Sequence, residues 1–132
     1  CFPFDEALTR FTVTGTQLKR IFGHIMRPEN RDGEGECYQV NHGVQAVYCD
    51  ADRRLESLHV HDEPVQEDRQ YTLCLSTYHE KNAAAFVGVS ADEMRAVGPS
   101  KVVSTSLRDV LEEYLRNHQN LNAYVEGRLV YR

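Results

Sequence analysis

The chain of 132 residues has no tryptophan, two methionines and four prolines. No stretch of it approaches the ~20 consecutive apolar residues that a membrane-spanning helix needs. Even the uncharged run from Gln70 to His79 carries Gln70, Thr72, Ser76 and Thr77, so no membrane span is expected. Basic residues are in the minority. Fifteen Lys and Arg against twenty Asp and Glu give a net charge of −5, and the bases are scattered, so no basic stripe is present to attract a phosphate backbone. Nucleic acid is therefore not an expected partner. The four cysteines, Cys1, Cys37, Cys49 and Cys74, form no C-x-x-C pair and have no histidine at zinc-finger spacing, which argues against structural zinc. An even count leaves two disulfides open, while Cys49 and Cys74, inside apolar stretches, read more simply as buried free thiols. No basic start followed by an apolar run marks an export signal, and the abrupt Cys1-Phe2-Pro3-Phe4 opening suggests a piece of a longer polypeptide. A composition of 41% hydrophobic and 27% charged residues predicts one globular domain, residues 1–132, with a modest core.

What is present reads as interleaved strands and helices. Ala7 to Val13 alternates and is rich in β-branched residues, which predicts a strand. Thr14-Gly15-Thr16-Gln17 supplies a capping box for the helix that follows. In that helix Leu18, Ile21, Phe22, Ile25 and Met26 recur at three and four residues as one apolar stripe, and Pro28 ends it. Cys37 to Val40, Val44 to Cys49 and Leu55 to His61 read as successive antiparallel strands. Tyr71 to Tyr78 is the strongest strand in the sequence and is expected at the centre of its sheet. A short helix is expected near Ala91 to Arg95. A second amphipathic helix starts at Ser106, its buried face expected to be Leu107, Val110, Leu111, Tyr114 and Leu115. Ala123 to Tyr131 is expected to return as a final strand. The class is α+β, with helices packed on a mixed or antiparallel sheet.

No self-contained active site can be read from local motifs. His59-Val60-His61 puts two imidazoles on one face of a strand with Asp62 next to them, a pair a metal can use, yet no third ligand at helical spacing completes it. Gly33-Glu34-Gly35 lacks both phosphate-loop frames, and no nucleophile elbow or cysteine-protease signature occurs.

Several stretches taken together resemble the C-terminal domain of the 5′-nucleotidase and UDP-sugar hydrolase family. Pro3-Phe4-Asp5-Glu6 resembles that family's Pro-Phe-Gly/Asp-Asn segment, and Val13 to Leu18 its l-t-G-x-x-L helix start. Gly35 to Gly43 is similar to G-x-F-L-Q-V-S-G. Tyr71 to Tyr78 followed by Asn82-Ala83-Ala84-Ala85-Phe86 falls where Y-x-v-a-t-n-d-F and G-G-D-G-F/Y belong, and Glu126-Gly127-Arg128 matches the closing E-G-R. The resemblance implies a domain that holds a nucleotide's base between two aromatic rings, here Phe4 and Tyr78, with Glu6, Asn82 and Phe86 at the rim. It also implies an N-terminal metallophosphatase domain in the same polypeptide, which carries two divalent metals and performs hydrolysis. No cofactor or metal is expected in the 132 residues themselves, and no hydrolysis by them alone. The family's members are mostly periplasmic, cell-surface or secreted.

Two departures from the family pattern matter. The Gly-Gly-Asp-Gly turn has become Asn82-Ala83-Ala84-Ala85, so β-carbons stand where a ligand approaches the backbone and Ala84 replaces the acid. Glu6 stands in place of an Asn and can only accept hydrogen bonds when ionised, which suits the N1 and N2 donors of guanine better than the acceptor-rich edge of adenine. A noncatalytic binding module with a decayed nucleoside pocket is the alternative.

Overall fold

The computed structural model describes residues 5–33 and 38–132. Its elements run β1 (Leu8–Thr14), α1 (Gly15–Ile25), α2 (Pro28–Arg31), β2 (Val44–Cys49), β3 (Arg54–Val60), β4 (Glu63–Pro64) and β5 (Gln70–Ser76). There follow α3 (Thr77–Lys81), α4 (Ala83–Phe86), α5 (Ala91–Arg95), β6 (Lys101–Ser104), α6 (Leu107–Asn117) and β7 (Leu129–Tyr131). One sheet has the order β5-β1-β6, with both pairings antiparallel. The other has the order β4-β3-β2-β7, in which β7 alone runs parallel to its neighbour. The expected α+β class with mixed and antiparallel sheets is what forms.

Helix α1 joins the two sheets, because it touches β1, β3 and β5. It starts where the sequence places it. The Thr14 hydroxyl accepts from the Gln17 amide, and the Gln17 side chain accepts from the Thr14 amide at 3.0 Å, so two orphan donors of the first turn are satisfied. Its buried residues Leu18, Ile21, Phe22 and Ile25 meet Phe11 and Val13 of β1 and Ala46, Tyr48 and Leu58 of the second sheet in one core. Full burial of a side chain such as Phe11 stabilises the fold by roughly 1.5–3 kcal/mol. Gly15 opens the helix for a steric reason: a β-carbon there would lie 1.9 Å from the Gln66 carbonyl oxygen. The 66–69 segment crosses against it, with the Gly15 amide donating to Arg69 O at 2.9 Å.

Several expectations are corrected. Strand β5 is an edge, and the centre of its sheet is β1, whose Thr9, Phe11 and Val13 are at most 3% exposed. The uncharged run that suggested burial on both faces instead alternates, with Thr72 and Cys74 on an exposed face. Cys74 is thus an exposed free thiol and Cys49 a half-buried one. Residues 38–40 form no strand, and Cys37 lies outside the described residues. The final strand is only Leu129–Tyr131. His59 and His61 do not share a strand face. His61 and Asp62 have φ of 53° and 66° and form the two-residue turn between β3 and β4, the left-handed geometry of a tight hairpin. The expected buried face of α6 is not buried. Val110, Leu111, Tyr114 and Leu115 are between 38% and 50% exposed, because helical periodicity reports that a face is apolar and not what covers it.

Candidate functional site

Two segments far apart in sequence meet at the end of β5. The strand stops at Ser76, whose hydroxyl caps α3 by accepting from the His79 amide, so that Tyr78 is the second residue of that helix. At the same place the Ala7 amide donates to Thr77 Oγ1 at 3.2 Å and the Thr77 amide donates to Ala7 O at 3.1 Å. This reciprocal pair fixes the Asp5-Glu6-Ala7 segment beside the residue that precedes Tyr78. A third segment closes the junction. Ser106 Oγ donates to the Asp5 carboxylate at 2.9 Å, and the Leu107 amide donates to Glu6 O at 2.8 Å.

Tyr78 is 45% exposed. Its ring meets that of Phe86 with centroids 5.4 Å apart and planes 34° from parallel, inside the range where aromatic pairs attract. Asn82 lies one turn on, and its side-chain amide donates to Tyr78 O at 2.9 Å, so it locks the α3 backbone. Of the expected residues, Tyr78, Asn82 and Phe86 therefore come together, with the Glu6 segment tied to them through Thr77. Phe4 lies outside the described residues. The cluster lies at the surface: the Tyr78 ring meets Phe86 at a tilt and His79 edge-on at 5.6 Å, and nearly half of Tyr78 meets solvent.

Sequence reasoning missed the support beneath this cluster. His79 stands edge-on to Tyr38 at 5.7 Å and to Phe86 at 6.1 Å. Its Nδ1 is 3.0 Å from Ser76 Oγ, while Nε2 is buried with no hydrogen-bond partner. The Tyr38 hydroxyl donates to Phe86 O at 3.0 Å. Beside His79 a cleft of about 320 Å³ opens, lined by Ile21, Phe22, Tyr38, Leu75 and Ser76 among others. Nothing local in the sequence announces Tyr38, which is 40 positions from Tyr78. A single signal existed for His79, since it stands three residues after the capping Ser76.

Helix α4 occupies the place of the glycine-rich turn. Ala83 is 2% exposed and built into the core, whereas Ala84 and Ala85 face solvent. The E-G-R stretch is a clasp. Arg128 reaches Val40 O and the Glu126 carboxylate, each at 2.5 Å, and Gly127 has φ of 67°, a conformation glycine adopts without strain. Hydrogen bonding from Arg128, then from the Tyr124 hydroxyl, lowers the Glu126 carboxyl to about 2. Among the described residues no group of three or more His, Cys, Asp or Glu is placed to hold a metal ion. Among the described residues no helix is long and apolar enough to cross a membrane.

The fold is that of a 5′-nucleotidase C-terminal domain. Residues 1–89 match the family model described as the 5′-nucleotidase C-terminal domain, and the chain belongs to that family. The E-G-R clasp lies beyond the matched residues. Among solved structures, a 5′-nucleotidase precursor of Thermus thermophilus shares 20% identity at a TM-score of 0.75, covering 98% of this chain and 26% of its own. The NAD nucleotidase of Haemophilus influenzae shares 14% at 0.73, covering 98% and 24%. The sulfate thiohydrolase SoxB of T. thermophilus shares 19% at 0.62, covering 98% and 23%. The chain thus spans about a quarter of the length of these structures. No curated protein matches it significantly.

Proposed function

We propose that this domain recognises the base of a nucleotide or nucleoside within a longer, metal-dependent phosphohydrolase of the 5′-nucleotidase type. The observation that carries the reading is the junction of Ala7 with Thr77, which ties the segment following Pro3-Phe4 to the foot of the exposed Tyr78 ring. In this reading Phe4 and Tyr78 take the two faces of the base. Phe86 backs Tyr78, while Glu6 and Asn82 meet the base edge. Each stacked face contributes on the order of 1–3 kcal/mol, the range found for bases on aromatic side chains. Hydrolysis belongs to an N-terminal metallophosphatase domain of the same polypeptide, where two divalent metals activate water and neutralise the leaving phosphate. The 132 residues alone turn over no phosphate ester with added zinc or manganese.

The expected ligand order follows from Glu6. An ionised carboxylate accepts from guanine N1 and N2, so guanosine binds more tightly than adenosine. A thermal-shift panel of nucleosides on the full-length protein tests this, since a ligand of the folded state raises its melting temperature. Equal shifts for the two purines reject the role of Glu6, and no shift with any nucleoside rejects the site. A second reading has its own support: with α4 in place of a glycine turn, the domain serves as a noncatalytic binding module. SoxB, named for sulfate thiohydrolase activity, shares the fold, so the fold alone does not select a nucleotide. Loss of the Asp, His and Asn metal ligands upstream of Cys1 would favour this module.

A further inference from the structure

The buried hydrophobic residues among those described all fall between Phe11 and Met94. Apart from Tyr78, every large hydrophobic residue left exposed among them falls between Val102 and Val130. Within that region α6 carries an apolar stripe at i, i+3, i+4, i+7 and i+8, starting at Leu107, and none of its residues is buried. An 11-residue helix is marginal in water unless its apolar face packs on something. The helix is anchored at its first turn, where Ser106 and Leu107 hold Asp5 and Glu6. The Asp5 end of the described segment therefore lies beside the start of α6. Structures that share this fold extend over about four times the length covered here.

We infer that the α6 stripe, Val110, Leu111, Tyr114 and Leu115, is the seat of the upstream domain of the same polypeptide. This rests on the reading that the chain is the recognition part of a longer two-domain protein. The occupant is an apolar face close to the Asp5 junction. Covering four half-exposed apolar side chains removes the exposed patch and completes the packing that α6 lacks.

The test uses the full-length protein, with hydrogen exchange read on residues 107–117 and a benzophenone side chain placed at position 114. The expected results are amide exchange in α6 at least tenfold slower than in an unstructured peptide and a photocrosslink from position 114 to upstream peptides of the same molecule. The double substitution Leu111→Glu with Leu115→Glu should abolish that protection and speed proteolysis between Asn117 and Glu126. It should leave the nucleoside-induced thermal shift in place. A crosslink to a second copy, no crosslink, or α6 exchange at coil rates in the otherwise unaltered protein overturns the inference, and these readouts stand even if the double variant fails to fold. Loss of every nucleoside response with α6 still protected and crosslinked would reject the nucleotide reading alone.

Discussion

Two glycine-to-alanine changes in α1 should have opposite signs. At Gly15 the new β-carbon would lie 1.9 Å from the Gln66 carbonyl oxygen and 2.6 Å from its carbon, whereas ordinary contact begins at 3.4 Å. The neighbour is backbone, so the 66–69 segment must retreat by about 1.5 Å, the difference between 3.4 and 1.9 Å. Retreat strains the bonds Gly15 N to Arg69 O and Thr16 N to Glu67 O, each worth about 0.5–1.5 kcal/mol. Overpacking adds about 1–3 kcal/mol, and the gain in helix propensity offsets at most about 1 kcal/mol. The net expectation for Gly15→Ala is a loss of about 2–3 kcal/mol. For a domain of this size that corresponds to a fall in Tm of roughly 6–15 °C. Gly23, in the middle of the same helix, has no neighbouring atom within 4 Å of the position a β-carbon would take, so Gly23→Ala should raise stability by up to about 1 kcal/mol. Paired thermal and urea unfolding of the two variants measures both. A neutral or stabilising Gly15→Ala would refute the close approach of the 66–69 segment as the reason for that glycine.

Tyr78→Ala should weaken nucleoside binding to the full-length protein by about 1–3 kcal/mol, roughly a tenfold to hundredfold loss, with little effect on Tm because Tyr78 is 45% exposed; isothermal titration reads the first and calorimetry the second. Ser90→Ala removes the cap and half of the capping box of α5 and should cost about 1 kcal/mol in denaturant unfolding. The Glu126 carboxyl, lowered from 4.5 to about 2 chiefly by Arg128, binds its proton less readily in the folded state than in the unfolded one. Its contribution is therefore complete above about pH 4.5 and is lost as pH falls toward 2. Carboxyl titration by NMR should place its midpoint near the lower value and return it toward 4.5 in Arg128→Met, and an unchanged midpoint would show that the clasp does not form in solution.

The local rules were legible because they act over a few residues. Thr14 and Gln17 spell a capping box, Val44 to Cys49 alternates, and a helix near Ala91 to Arg95 is expected, and each forms where the sequence places it. Partner choice was not legible. Strand β5 lies at an edge and not at the centre because an uncharged strand is compatible with one buried face or two, and only pairing decides. Helix α6 shows the same limit, since its stripe is plain in sequence while its cover is not. At the site, the sequence pattern carries the strand through Tyr78, whereas the strand stops at Ser76 and Tyr78 lies in α3, and the Ala7–Thr77 bonds and the Tyr38 hydroxyl on Phe86 O join residues 70 and 48 positions apart. His59 and His61 misled because alternation holds only while a strand continues, and His61 already belongs to a turn.

The most direct measurement is a crystal structure of the full-length protein with guanosine bound. The base should lie between the rings of Phe4 and Tyr78, with the Glu6 carboxylate accepting from its N1 and N2. A guanosine seated elsewhere, or Phe4 and Tyr78 turned apart with no base between them, would contradict the assignment of this domain to base recognition.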